Sequence, residues 1–160
     1  MKLWLFMTLP FYLLDQVTKW LVSHSLALSE DRIVVPNFFD LVYFTNTGAA
    51  FSIFTSANSN RFFIIVSFLT LAALLIAHAR GAFPDRLGRA ALALLVAGIL
   101  GNLTDRLFHG HVIDFLLFRF GTLPIAPWPA FNVADSCICT AAALFVIYSF
   151  KDSKKPTPVR

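Results

Sequence analysis

The chain reads as an all-α membrane protein, a four-transmembrane-helix bundle with a small β cradle on its extracytoplasmic side. Composition is the first ground for this. Hydrophobic residues fill 58% of 160 positions and charged residues 14%, against about 45–50% and about 25% in an ordinary soluble domain. Mean hydropathy is +0.71. The second ground is pattern: the apolar residues collect in four stretches, each near the roughly 20 residues a helix needs to cross hydrocarbon. The third is a short β-prone run between the first two stretches. A bundle of this size makes one domain, residues 1–160, and the composition marks no second one.

The first span is expected at about residues 3–22. Lys2 followed by an apolar run resembles the start of a secretory signal, but no small-residue cleavage site follows it. Asp15-Gln16-Val17-Thr18-Lys19 comes instead, and the apolar pattern resumes at Trp20-Leu21-Val22, so the segment is expected to be retained. The second span covers about 61–79, closed by His78-Ala79-Arg80-Gly81. The third covers about 87–107 and is rich in small residues (Ala90, Ala91, Ala97, Gly98, Gly101), which allow helices to approach closely in lipid. The fourth covers about 132–150, after Pro124, Pro127 and Pro129 block helix before it.

Four spans put both termini on one side. Lys2, the connection carrying Arg80, Arg86 and Arg89, and the tail with Lys151, Lys154, Lys155 and Arg160 share that side, so the positive-inside bias makes it cytoplasmic. The two longer connections are then external. In the first, Ile33-Val34-Val35, Phe38-Phe39 and Leu41-Val42-Tyr43-Phe44 are β-prone, bounded by Pro36-Asn37 and Asn46-Thr47-Gly48, and predict a small sheet at the outer membrane surface. The formal charge of +4 belongs to this topology, and no nucleic-acid partner is implied. Cys137-x-Cys139 lies in an apolar run, has no second pair to complete a zinc site, and reads as two buried thiols. His24, His78, His109 and His111 show no metal-ligand spacing, and Ser52, Ser67 and Ser136 lack a nucleophile's setting.

An ionisable group in or beside hydrocarbon is costly unless it is paired or working, so Asp15, Asp105, Asp114 and Asp135 are functional-site candidates. Asp114 follows the outer end of the third span and Asp135 begins the fourth, so both acids come to the same membrane face. Two carboxyls about 3 Å apart share a proton: the ionised one can activate a water while the protonated one polarises a carbonyl. Two helix caps or ion-pair partners would give the same pattern. Asp15 and Lys19 stand four apart on one helical face and read as a structural ion pair. Asn102 and Arg106 share a face beside Asp105, and Arg106 could brace a carboxylate, hold a lipid phosphate, or form an interfacial pair with Asp105. Asn46 and Gly48 lie in a small, polar stretch that suits either close approach to a peptide or an ordinary turn.

Taken together these pieces resemble the lipoprotein signal peptidase family, bacterial signal peptidase II. The resemblance rests on Asp15-Gln16-Val17-Thr18-Lys19, Asn46-Thr47-Gly48-Ala49-Ala50-Phe51-Ser52, Gly101-Asn102-Leu103-Thr104-Asp105-Arg106, His111-Val112-Ile113-Asp114-Phe115 and Phe131-Asn132-Val133-Ala134-Asp135, in the family's order. It implies an integral aspartyl endopeptidase of the bacterial inner membrane with Asp114 and Asp135 as its catalytic dyad, working without a cofactor or metal. Asn46, Gly48, Asn102, Arg106 and Asn132 would position substrate or support the dyad, with Asp105 supporting, and Asp15 and Lys19 structural or substrate-facing. The implied substrate is a prolipoprotein whose cysteine carries diacylglycerol, cut just N-terminal to that cysteine. The implied partners are membrane lipid and cyclic-peptide inhibitors such as globomycin, and a monomer is expected. The segment Gly121–Pro127 looks longer than the family's usual connection. A proton-relaying transporter would spread its acids through the membrane and commonly show an internal repeat, and neither is visible. A non-enzymatic scaffold would tolerate Asp→Asn at 114 and 135.

Overall fold

Small residues make the third apolar stretch the helix on which the others pack. In the computed structural model, which describes residues 2–48, 56–120 and 128–152, the elements are α1 (Lys2–Ser25), β1 (Asp31–Val35), β2 (Phe39–Asn46), α2 (Ser56–Ala79), α3 (Arg86–Phe108), β3 (Val112–Phe118) and α4 (Val133–Asp152). Residues 49–52 of the Asn46–Ser52 motif, the 121–127 segment and the tail from 153 lie outside the described residues. α3 contacts α1, α2 and α4. A methyl group at Gly98 would collide with the Ala134 carbonyl and Ile138, and one at Gly101 with the Asp15 carboxylate and Ala134. Glycine at these positions therefore sets how closely α1 and α4 approach α3. Side chains add hydrogen bonds to this packing: Thr8 Oγ1 donates to the Ala93 carbonyl at 3.1 Å, and the Tyr12 and Thr104 hydroxyls lie 3.2 Å apart.

Among the described residues three helices are long and apolar enough to cross a membrane: Asn58–Ala79, Arg86–Phe108 and Val133–Phe150. α1 has 24 residues but is not among them, because Asp15, Gln16 and Lys19 interrupt its apolar run. The expectation of four spans is thus met on composition by three. α2 turns Ile65, Phe68, Leu69, Leu75 and Ile76 outward and leans mainly on α3. Of the two cysteines expected to be buried, Cys137 is buried and Cys139 is exposed on the outer face of α4. Their spacing explains this, since neighbours two apart on a helix do not share a face.

Beyond the helix ends, three antiparallel strands form one sheet in the order β1-β2-β3. Two of them come from the predicted β-prone run. The third, β3, was not anticipated as strand; it lies in the second long connection and buries four consecutive residues, Val112 to Phe115. The turn into it from α3 passes through Gly110 at φ 76°, a conformation that costs glycine nothing. β1 is wholly exposed, while Val22 and Leu26 of α1 form a buried cluster with Phe115 of β3. At its far edge Arg119 pairs with the buried Asp40 and with Asp31.

Candidate active site

Asp114 owes its place to strand register. β2 and β3 pair as Leu41 with Leu116, then slip by one residue so that Phe44 faces Asp114 and Asn46 faces Val112. Had the first register continued, Asp114 would have faced Tyr43 and Asn46 would have pointed to the opposite side of the sheet. With the slip, Asn46 lies diagonally across from Asp114 on one face, and its Nδ2 donates to Asp114 Oδ2 at 2.9 Å. Asn46 Oδ1 in turn accepts from the Gly48 amide at 2.8 Å. Gly48 abuts the Phe63 ring, which fills the space a Cβ would need.

Asp135 is placed by a helix cap. Asn132 precedes α4, and its Oδ1 accepts the Asp135 amide at 2.9 Å, while Asp135 Oδ2 accepts the Asn132 amide at 3.2 Å. This is the reciprocal capping-box arrangement, built from Asn and Asp. Phe131, one residue earlier, pairs with Leu116 of β3 through amide and carbonyl (3.0 and 2.8 Å), which brings the start of α4 against the strand carrying Asp114. Asn132 then joins the two acids. Its Nδ2 lies 2.8 Å from Asp114 Oδ1, 3.1 Å from Asn102 Oδ1 and 3.2 Å from the Ile113 carbonyl. Asn102 Nδ2 donates to Asp135 Oδ1 at 2.7 Å. The two carboxylates that the sequence placed at one membrane face are thus linked through Asn132 and Asn102.

Behind them lies a buried charge cluster. Lys19, 2% exposed, places Nζ 2.8 Å from Asp15 Oδ2, 2.8 Å from Asp105 Oδ2 and 3.0 Å from Asn102 Oδ1. Its three N–H groups meet three acceptors, the full capacity of an ammonium. The expected Asp15–Lys19 pair is present, but sequence spacing gave no sign that Lys19 also reaches Asp105 and Asn102 on α3. Asp15 extends further: its Oδ1 accepts the Ala134 amide in the first turn of α4 at 2.8 Å. Asp105 Oδ2 accepts the Ile113 amide at 3.1 Å, steadying the entry to β3. Gln16, not singled out from sequence, bridges Asp15, Asp105 and the Gly101 carbonyl at 3.1–3.2 Å. Its place in the Asp15–Lys19 motif was the signal the sequence offered.

Arg106 does not pair with Asp105 within salt-bridge distance. Its guanidinium lies over the Phe63 ring, 4.8 Å from the centroid, and Nη1 donates to the Asn102 carbonyl at 3.3 Å. Asp114, 3% exposed, is pushed up to about 6 by burial. The Asn46 bond opposes that rise, the charge of Asp135 adds to it, and Lys19 and Asn132 oppose it more weakly. A carboxyl that gains its proton in this range beside a second carboxyl is equipped for general acid–base work. A cavity of about 490 Å³ lies against α1, α3 and the sheet. It reaches the cluster from behind, at Gln16, Lys19 and Asp105, and is not lined by Asp114 or Asp135. His24, His109 and His111 line it together, a grouping the sequence did not suggest. Among the described residues no three His, Cys, Asp or Glu stand close enough to hold a metal ion.

The profile of a family described as "Signal peptidase (SPase) II" matches residues 7–151. The lipoprotein signal peptidase of Neisseria meningitidis serogroup C (strain 053442) is 42% identical over 149 residues, covering 89% of this chain and 87% of that protein. That of Geobacter metallireducens is 41% identical over 143 residues, covering 89% and 86%. A solved structure described as a bacterial membrane enzyme, obtained by the in meso method at 2.3 Å resolution, superposes with a TM-score of 0.83 at 30% identity. It covers 98% of this chain and 94% of that one.

Proposed function

From the premise that the chain belongs to the signal peptidase II family, we propose that Asp114 and Asp135 are the catalytic dyad with which it hydrolyses its substrate. As a member it is an aspartic-type peptidase of the membrane that removes the signal peptide from prolipoproteins. The observation that carries the dyad reading is Asn132, which donates to Asp114 from its side chain and to Asp135 from its backbone. In this reading the two carboxyls share one proton. One takes a proton from the attacking water, the other polarises the scissile carbonyl, and protons return to the leaving amine. Water is the nucleophile, so the step calls on no cofactor. Asn46 and Asn132 hold Asp114, Asn102 holds Asp135, and Arg106 contributes charge acting on Asp135, Asp114 and Asp105.

The substrate in this reading carries diacylglycerol on the cysteine that follows the cut. Its acyl chains stay in the bilayer and hold the peptide bond at the depth of the dyad, and such positioning can remove several kcal/mol from a barrier. α1 completes the bundle as a fourth span. At 24 residues and about 1.5 Å each it reaches about 36 Å, against about 30 Å of hydrocarbon. It faces Leu9, Leu13, Leu14, Val17 and Leu21 outward while burying Asp15 and Lys19. Both termini are then cytoplasmic and the dyad lies near the extracytoplasmic face of the inner membrane. The enzyme works as a monomer in contact with membrane lipid, and cyclic peptides such as globomycin occupy the substrate cleft.

The test is cleavage of a diacylglyceryl-modified prolipoprotein by purified protein in detergent, beside Asp114→Asn, Asp135→Asn and an unlipidated substrate. Wild-type protein is expected to cut the lipidated substrate alone, with both variants folded and inactive. Turnover by either folded variant would remove the dyad, and equal cutting of the unlipidated substrate would remove the lipid requirement.

A further inference from the structure

We propose that Lys19 is a positioning residue for hydrolysis, fixing the orientation of the Asn102 amide and, through it, the carboxylate of Asp135; this rests on the dyad reading above. An ammonium has donors and no acceptor. Lys19 Nζ lies 3.0 Å from Asn102, with its other two contacts made to carboxylate oxygens of Asp15 and Asp105 at 2.8 Å. The Asn102 atom facing Lys19 must therefore be its oxygen. The NH2 is then left facing Asp135 Oδ1, to which it donates at 2.7 Å. A flipped amide would set NH2 against ammonium and oxygen against carboxylate, two repulsive contacts in place of two hydrogen bonds. Asn132 Nδ2 reinforces the same choice from the other side, 3.1 Å from Asn102 Oδ1.

The same lysine also acts on the backbone beneath Asp135. Its partner Asp15 accepts the Ala134 amide at 2.8 Å, one residue before Asp135 in the first turn of α4. Lys19 is 83 positions from Asn102 in sequence and has no hydrogen bond to either acid of the dyad, so its hold on the orientation of Asp135 passes through Asn102 and Asp15, while its charge reaches Asp114 through space. A bond chain from cation through amide to carboxylate polarises each link toward the next. Lys19 thus holds Asp135 as an acceptor aimed by a donor that cannot turn away.

The cluster of Lys19, Asp15 and Asp105 carries one net negative charge with all three ionised, and Lys19→Met/Asp105→Asn leaves that net charge unchanged. The experiment measures kcat, KM and the thermal midpoint for Asp105→Asn, for Lys19→Met/Asp105→Asn, and for both again with Asn102→Ala, using the lipidated prolipoprotein. With Asn102 present, the Lys19 change is expected to lower kcat by roughly 30-fold with KM within about twofold, and with Asn102 removed by less than about threefold. Equal losses in the two backgrounds, or an unchanged kcat, would overturn the proposal, because a merely structural lysine does not distinguish them. Should the Lys19 variant fail to fold, Asn102→Asp decides. It offers Lys19 an oxygen but gives Asp135 no donor, so the chain is expected to fold and lose roughly 100-fold in kcat. Retained turnover, or failure of that variant to fold despite the ammonium facing it, would overturn the proposal. Turnover by Asp135→Asn would instead sink the dyad reading, whatever Lys19 does.

Discussion

Asn132→Ser separates the two jobs that Asn132 performs. Serine caps a helix about as well as asparagine, and its Oγ can accept the Asp135 amide now held by Asn132 Oδ1 at 2.9 Å. What it lacks is the NH2 that stands 2.8 Å from Asp114 Oδ1, 3.1 Å from Asn102 Oδ1 and 3.2 Å from the Ile113 carbonyl. Two hydrogens serve those three acceptors, so two bonds are lost. Buried acceptors left unpaired cost about 1–3 kcal/mol each, and water entering the vacated space recovers part, so a net loss of about 2 kcal/mol is expected. Asn132→Ala loses the cap as well and should fall about 1 kcal/mol further. Turnover should drop about 100-fold in Asn132→Ser, as when one preorganised donor is removed from a catalytic group. Thermal unfolding in detergent and steady-state cleavage of lipidated prolipoprotein check both quantities. Turnover within about threefold of wild type would refute the argument that Asn132 holds Asp114 for chemistry, and equal stability of the Ser and Ala variants would refute the cap.

Three further outcomes follow from other parts of the molecule. Burial raises Asp114 from 3.8 to about 6, so the folded state binds more protons than the unfolded between those values and stability falls as pH rises through that window. The loss is on the order of 3 kcal/mol, and Asp114→Asn should gain on wild type in thermal midpoint from pH 4 to 7; a gap that stays constant with pH would contradict this. Gly98→Ala places a methyl group against the Ala134 carbonyl and Ile138 and should destabilise by about 1–3 kcal/mol with turnover reduced, since α4 carries Asp135; an unchanged midpoint would show that α4 shifts freely. Arg119→Ala leaves Asp40, 1% exposed, without its cation. Because the guanidinium is 40% exposed, solvent screens the pairs and the expected loss is local, read as faster amide exchange in β1 and β2; unchanged exchange would refute the role.

The sequence was legible where polarity and spacing carry the signal. Charged residues inside apolar stretches pointed to Asp15, Lys19, Asp105, Asp114 and Asp135, and four-residue spacing paired Asp15 with Lys19 before any fold was known. The β-prone run predicted β1 and β2. What stayed hidden depends on partners distant in the chain. A stretch such as Val112–Phe118, buried over four consecutive residues, shows no two-residue alternation, so β3 read only as a motif around an acid. The one-residue register slip that brings Asn46 to Asp114 leaves no trace in composition. Asn132-x-x-Asp135 does have the spacing of a capping box, and capping had been weighed there as an alternative to chemistry; the structure shows a cap whose two members also meet the rest of the acid network. α1 shows the reverse effect: the polar residues that made it informative are the ones that keep it out of a set chosen by apolarity.

The bond from the Ala134 amide to Asp15 joins residues 119 positions apart, and it bears on how the protein is made. A chain entering the membrane from its first residue brings in α1 long before α4 exists. Until α4 arrives, Asp15, Lys19 and Asn102 wait without the helix end they serve, and Asp135 has not been inserted. On the proposed dyad, hydrolytic competence is therefore expected only once α4 has docked on α1, because the bond from Ala134 to Asp15 and the arrival of Asp135 come together.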